Sequence, residues 1–338
     1  MGRQERIDLI RKIERQTNSK ILVYITGDRH GLETKISHDV FPFIYKHLEK
    51  IENSQKINLF IYTTGGITIS GYGIVNMIRE YCEEYGAIIP FKCLSTGTLM
   101  VLGANSIIMS KMGQLGPVDP SLEHPLGPEV QHPQNPTIKG RVPVNVEDVV
   151  SFFDLAKKEA KTTSEGEFTK VLSMLSGNIH PLVLGAVNRS RNEIRFLAKT
   201  LLKQHMNDEQ KVASIVSTLV EERFSHSYLI GRKEAKGMQL NITDVSPHLI
   251  TDIMNLYHEY SQLLQLDAPY NKETILGKDL EKTVTLHRSI IESEHLTHTY
   301  STTVRLNRVQ VNGPQTGMPL EATASVLIKE EWLQNNDV

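Results

Sequence analysis

Apolar positions along the first hundred residues fall into two alternating patterns. Between Met1 and Gln16, Ile7, Ile10 and Ile13 recur at helical spacing among Arg3, Glu5, Arg6, Asp8, Arg11, Lys12, Glu14 and Arg15, which predicts an amphipathic helix. Short apolar runs then alternate with longer periodic ones. Residues 21–25 and 57–62 read as strands, and 40–51 reads as a helix between them. The second strand ends at the turn Thr63-Thr64-Gly65-Gly66. Residues 69–85 read as a helix carrying Ile74, Met77, Ile78 and Tyr81 on one face. A third strand begins over 87–91, followed by a helix at 96–104 and a short strand at 106–109. Repeated strand, turn and helix predict an α/β fold with a mostly parallel sheet covered by helices.

Beyond this core the pattern changes twice. Residues 113–143 are dense in Gly and Pro, with two His-Pro pairs, His124-Pro125 and His132-Pro133. Such a stretch is not a regular helix, and loops of this length are usually functional. Helices are expected at 145–160, 180–205, 208–222 and 248–264. Residues 283–290, 297–311 and 323–328 are rich in β-branched residues and read as a small β appendage. The expected organisation is therefore a main domain over 1–270, with 113–143 as its active-site loop, and an appendage over 271–338.

Composition narrows the classes of function. The 338 residues are 39% apolar and 22% charged, as in a globular protein. Lys plus Arg number 37 and Asp plus Glu 39, a net charge of -2 that gives no general pull toward nucleic acid or anionic lipid. The only cysteines, Cys82 and Cys93, make neither a disulfide framework nor a metal knuckle, and read as reduced thiols. His124, His132, His180 and His205 show no paired metal-ligand spacing, so no structural metal is expected. Arg191, Arg195, Lys199 and Lys203 line one side of a helix whose other side holds Ile194, Leu197, Ala198 and Leu201, a solvated or subunit-facing stripe. Walker and dinucleotide fingerprints are both missing, so no cofactor and no ATPase motor are expected. With no export signal at the N-terminus and no apolar run of membrane-spanning length, the location expected is cytoplasmic.

Two turns carry candidate chemistry, each ending a strand and opening a helix on the edge of the sheet where ligands sit in such folds. At Gly65-Gly66, adjacent glycines let the backbone aim an N–H outward at torsions a side chain forbids. At Ser95-Thr96-Gly97, Ser95 begins a helix and lies in its positive field. The N–H groups of Gly66 and Thr96 together suit the oxyanion of a tetrahedral intermediate formed at Ser95. Losing one such donor typically costs about 3 to 4 kcal/mol of transition-state stabilisation. Read singly, Gly65-Gly66 is an ordinary turn and Ser95 an ordinary helix N-cap.

Together the two turns resemble a known group. Thr63-Thr64-Gly65-Gly66-Ile67-Thr68-Ile69-Ser70-Gly71 is similar to the Ser-Pro-Gly-Gly segment of ClpP and signal peptide peptidase A, with Thr64 where Pro is usual. The interval from Gly66 to Ser95 is also similar. Ser95-Thr-Gly-Thr-Leu-Met-Val-Leu-Gly-Ala-Asn-Ser-Ile-Ile-Met and Gln114-Leu-Gly-Pro-Val-Asp-Pro120 closely resemble the serine dehydrogenase proteinase (SDH) family of the Clp protease and crotonase superfamily. His180-Pro-Leu-Val-Leu-Gly185 and Ser225-His-Ser-Tyr-Leu-Ile-Gly-Arg-Lys-Glu-Ala235 agree.

The resemblance implies a ClpP/crotonase-type fold, a homo-oligomer, and a serine peptidase acting on a peptide or protein substrate through Ser95. An extended substrate would lie beside Gly65, with Gly113 and Leu115 supplying backbone pairing. The proton acceptor is where the chain departs from ClpP, whose histidine has no counterpart in Gly116-Pro-Val-Asp-Pro120. His226, oriented by Glu222, is one substitute; Lys139 or Lys157 is a second, as in the Ser-Lys dyad of signal peptide peptidase A; Asp119 is a third. Two other functions compete, acyl-thioester chemistry as in crotonases and a Clp-fold scaffold without catalysis.

Overall fold

The computed structural model describes residues 2–118, 121–122, 124–132, 135–158, 164–220, 228–312 and 319–335. Two compact units divide the chain, one made of Met1–Leu115 with Ile230–Val338 and the other of Gly116–Leu229.

The first unit opens with helix α1 (Arg3–Thr17), strand β1 (Lys20–Thr26), helix α2 (Phe41–Ile51), strand β2 (Ser54–Tyr62), helix α3 (Thr68–Arg79) and strand β3 (Cys82–Ile89). Strand β4 (Lys92–Cys93), helix α4 (Thr96–Leu102), strand β5 (Ser106–Met109) and strand β6 (Gln114–Leu115) follow. In the second unit, β7 (Ser121–Leu122) pairs with β10 (Val144–Asn145), and β8 (Glu129–His132) forms a hairpin with β9 (Asn135–Arg141). Helices α5 (Val146–Lys158), α6 (Glu165–Asn178), α7 (Pro181–Lys203) and α8 (Glu209–Val220) complete it. There Val144, Val146, Val183 and Val187 form one buried cluster, and Ile194, Leu197, Ala198 and Leu201 are buried on α7. The chain returns to the first unit with β11 (Ile230–Gly231), α9 (Arg232–Gly237), α10 (Pro247–Leu264), α11 (Lys272–Leu276), β12 (Glu281–Glu292), β13 (Thr297–Asn312) and β14 (Pro319–Gln334).

Seven strands form the main sheet in the order β14-β13-β12-β1-β2-β3-β5. Strands β1, β2, β3 and β5 are parallel, and their buried apolar runs, such as Ile57, Leu59, Phe60 and Ile61 on β2, are those of strands covered on both faces. Ile7, Ile10 and Ile13 of α1 pack with Leu249, Ile253, Leu256 and Tyr260 of α10 over β1 and β2. This is the α/β fold expected, with the parallel sheet in place.

The C-terminal strands are not a separate appendage. Strand β12 pairs antiparallel with β1 and carries the sheet on through β13 and β14, so the boundary at 270 gives way to the division above. A buried ion pair fastens the junction. Arg6 on α1 donates from Nε and Nη2 to Glu292 at 2.9 Å each, and the same carboxylate accepts from Tyr260 at 2.5 Å and Thr297 at 2.6 Å. Helix α3 also ends at Arg79, short of the expected 85, because residues from Cys82 onward pair with β2 in register. Sheet pairing overrides local helical periodicity there.

Candidate active site

Strands β2 and β4 deliver the two turns side by side. Thr63, just past β2, donates its N–H to the Lys92 carbonyl at 2.9 Å and accepts from the Leu94 N–H at 3.0 Å. Its buried hydroxyl accepts from the Thr26 hydroxyl at 2.7 Å and from the Gly65 N–H at 3.0 Å. Gly65 and Gly66 then adopt φ of 116° and 155°, torsions that L side chains rarely take. A Cβ on Gly66 would sit 2.2 Å from the Ile36 carbonyl oxygen. Ile36 pairs with this turn through its backbone, donating to the Gly65 carbonyl at 2.9 Å and accepting from the Ile67 N–H at 2.8 Å.

Ser95 is half-buried and holds φ 53° and ψ -115°, a strained conformation for a residue with a side chain. It stands at the N-cap position of α4, yet its side chain caps no N–H, so the ordinary capping role fails. A Cβ on Gly65 would lie 2.9 Å from Ser95 Cβ and 3.2 Å from its Oγ, so the hydroxyl sits directly on the diglycine turn. Thr96, buried, donates its hydroxyl to the Gly66 carbonyl at 2.7 Å. Among the described residues neither the Gly66 N–H nor the Thr96 N–H has an acceptor. A hydroxyl on a strained turn, beside two N–H groups without partners, is an arrangement suited to acyl transfer.

Other expected residues fall elsewhere. Leu115 is buried in β6, which is paired on one side with β4 and on the other with β11. Gly113, also buried, closes a turn onto the Ser110 carbonyl. At Leu115 both edges of β6 are therefore occupied, by β4 and β11. Lys157 is exposed on α5. The Lys139 backbone pairs with Gln131 in the β8–β9 hairpin, while its side chain, like Asp119, Glu222 and His226, lies outside the described residues. Burial pushes the Cys93 thiol well up, so it does not compete as a nucleophile, and both cysteines are free. Nearby, Asp28 accepts from the Tyr62 hydroxyl at 2.7 Å and from Lys92 at 2.6 Å; burial and this carboxylate raise the Tyr62 phenol. No group of three metal-ligating side chains occurs among the described residues. The sequence reading missed Thr26, Ile36 and Thr63. Only Thr63, adjoining the diglycine, carried any local signal.

The class to which the family match points is that of the ClpP-like serine proteinases. The family model of ClpP-like SDH-type serine proteinases matches residues 2–169, and over that stretch the chain is similar to that family. Two uncharacterized proteins of Methanocaldococcus jannaschii are similar along most of the chain. One is 24% identical over 264 residues, covering 75% of this chain and 79% of the relative; the other is 22% identical over 282, covering 80% and 83%. Among solved structures, a mutant of the 1510-N membrane-bound stomatin-specific protease aligns at 12% identity and TM-score 0.40, covering 70% of this chain and 85% of that one. ClpP1 from Listeria monocytogenes aligns at 15% and 0.36, covering 73% and 98%. Among the described residues no single helix is long and apolar enough to cross a membrane. The bent pair Glu165–Asn178 and Pro181–Lys203, at 106°, passes that test by length and composition.

Proposed function

We propose that this protein hydrolyses peptide bonds through an acyl-enzyme at Ser95, with the N–H groups of Gly66 and Thr96 as oxyanion donors. The observation that carries the reading is the strained φ of 53° at Ser95, which presses its hydroxyl against Gly65. In the first half-reaction Ser95 Oγ adds to the scissile carbonyl carbon and its proton passes to the base. The two amides hold the oxygen that becomes negative. Collapse breaks the C–N bond, the leaving amine takes the proton, and an ester remains on Ser95. Water then adds to that ester, and the same steps in reverse release the acid and free the hydroxyl.

A scaffold has no use for a serine held at a torsion costing about 1 to 3 kcal/mol, and this favours the enzyme over that alternative. The candidates for the base, His226 and Lys139, are separated by experiment. A histidine gives kcat/KM a rise with an apparent pKa near its ordinary 6.5, and His226→Ala removes it; a desolvated lysine shifts the rise toward 7 to 8 and Lys139→Ala removes it. The reading itself is tested by Ser95→Ala assayed on casein. Loss of turnover by roughly ten-thousand-fold supports it, and retained turnover overturns it.

A further inference from the structure

We propose that Thr96 is a positioning residue that couples the two oxyanion donors: it offers its own N–H while its side chain fixes the turn that bears the other. This inference rests on the reading of Ser95 as the nucleophile.

The diglycine turn cannot orient itself, because two adjacent glycines leave the peptide units on either side free to rotate. Its orientation is imposed from two sides. In a trans peptide the C=O and N–H point in opposite directions. The Gly65 carbonyl is held by the Ile36 N–H at 2.9 Å, so the Gly66 N–H in the same peptide unit points away from Ile36. In the next unit the Ile67 N–H is held by the Ile36 carbonyl at 2.8 Å, and the Gly66 carbonyl by the Thr96 hydroxyl at 2.7 Å. Turning the Gly66 N–H to another direction breaks at least one of these bonds.

The Thr96 side chain is itself fixed. It is 1% exposed, and its methyl lies 2.5 Å from where a Cβ on Gly71 would be. A β-branched side chain has few χ1 states, and seating its methyl on Gly71 aims its hydroxyl at Gly66. The glycine five residues after Gly66 therefore has a role that the motif alone does not disclose. It makes room at the start of α3 for the methyl that orients the hydroxyl. Helices α3 and α4 and the diglycine turn meet on this one side chain, and Thr63 steadies the far side of the turn by accepting the Gly65 N–H.

The test uses the full chain with Thr96→Val, Thr96→Ser, Gly71→Ala, and Gly71→Ala combined with Thr96→Ser. Three quantities are read: the rate of fluorophosphonate labelling at Ser95, kcat and KM on a casein-derived peptide, and the thermal midpoint. Thr96→Val, nearly the same shape without the hydroxyl, is expected to lower kcat and labelling about 10- to 100-fold, part of what losing one donor outright costs, with KM changed less than about threefold. Thr96→Ser keeps the hydroxyl and stays within about threefold of the parent. Gly71→Ala falls like Thr96→Val, since the stiff methyl must shift, and adding Thr96→Ser restores most of the rate by vacating that space.

Labelling of Thr96→Val at the parent rate overturns the inference. So does a Thr96→Ser loss equal to that of Thr96→Val, or a Gly71→Ala defect that Thr96→Ser leaves unchanged. If Thr96→Val does not fold, the Gly71→Ala pair decides. The two readings fail differently. An active Thr96→Val beside an inert Ser95→Ala sinks the positioning role alone, whereas labelling that persists in Ser95→Ala sinks the nucleophile assignment and this role with it.

Discussion

Ser95 spends conformational energy on where its hydroxyl points. At φ 53° and ψ -115° a glycine is strain-free and an alanine is not. Ser95→Gly and Ser95→Ala are both expected to be inactive. The glycine variant should be the more stable by about 1 to 2 kcal/mol in chemical denaturation; equal stabilities would deny the strain. At this scale the sequence carried Ser95, Gly65, Gly66 and Thr96, since residue type and order along the chain mark them. It did not carry Ile36, whose contribution is entirely backbone and which any apolar residue could make. Nor did it show that Gly71 is small for the sake of Thr96, a contact between residues brought together only by α3 and α4.

At the scale of elements, helix α1 and the β12–β13 turn depend on one another through Arg6 and Glu292, whose side chains are 1% and 0% exposed. Glu292→Ala leaves a guanidinium buried without its partner and is expected to cost about 3 to 5 kcal/mol. The Arg6→Met and Glu292→Leu double variant should recover part of that loss, though not the bonds from Tyr260 and Thr297, read from urea denaturation midpoints; a double variant as unstable as the single would contradict this. Helix α2 carries a second buried contact. His47 bonds through Nδ1 to Ser293 at 2.8 Å and through Nε2 to His298 at 3.0 Å. Burial pushes the His47 imidazole down to about 3, with His298 adding to the shift. The unfolded chain binds a proton at about 6.5 that the folded chain refuses, so stability is flat above that pH and falls between about 6.5 and 3. The slope approaches about 1.4 kcal/mol per pH unit from this group. Thermal midpoints of His47→Gln should fall less steeply over that window than those of the parent, and parallel curves would contradict the assignment. Element types were largely legible from periodicity. Their limits were not wherever sheet pairing decided them, as where α3 yields to β3 at Cys82.

For the whole molecule, the C-terminal strands matter most. Their β-branched composition announced strands, but composition does not name a partner. The pairing of β12 with β1 joins residues more than 250 positions apart, which no local pattern encodes. Read as an appendage, residues 271–338 would be dispensable. As part of the main sheet they are not, because their removal bares the edge of β1 and strands Arg6. A chain truncated after Asp279 is expected to be insoluble or to lack cooperative thermal unfolding by circular dichroism, since an uncovered apolar edge invites association. A soluble, cooperatively folding truncation would show that β1 needs no cover. Within the second unit, α5, α7 and α8 match the helices expected after a Gly- and Pro-rich loop, and the buried α7 face follows the periodicity; helix α6 and the β8–β9 hairpin were not expected, the hairpin because short strands rich in polar residues leave no alternation to read.

Treating the full chain with a fluorophosphonate and locating the adduct by peptide mass spectrometry identifies the nucleophile outright. One phosphonylated residue, Ser95, is expected, with no adduct in Ser95→Ala. An adduct on another residue that persists undiminished in Ser95→Ala would contradict it.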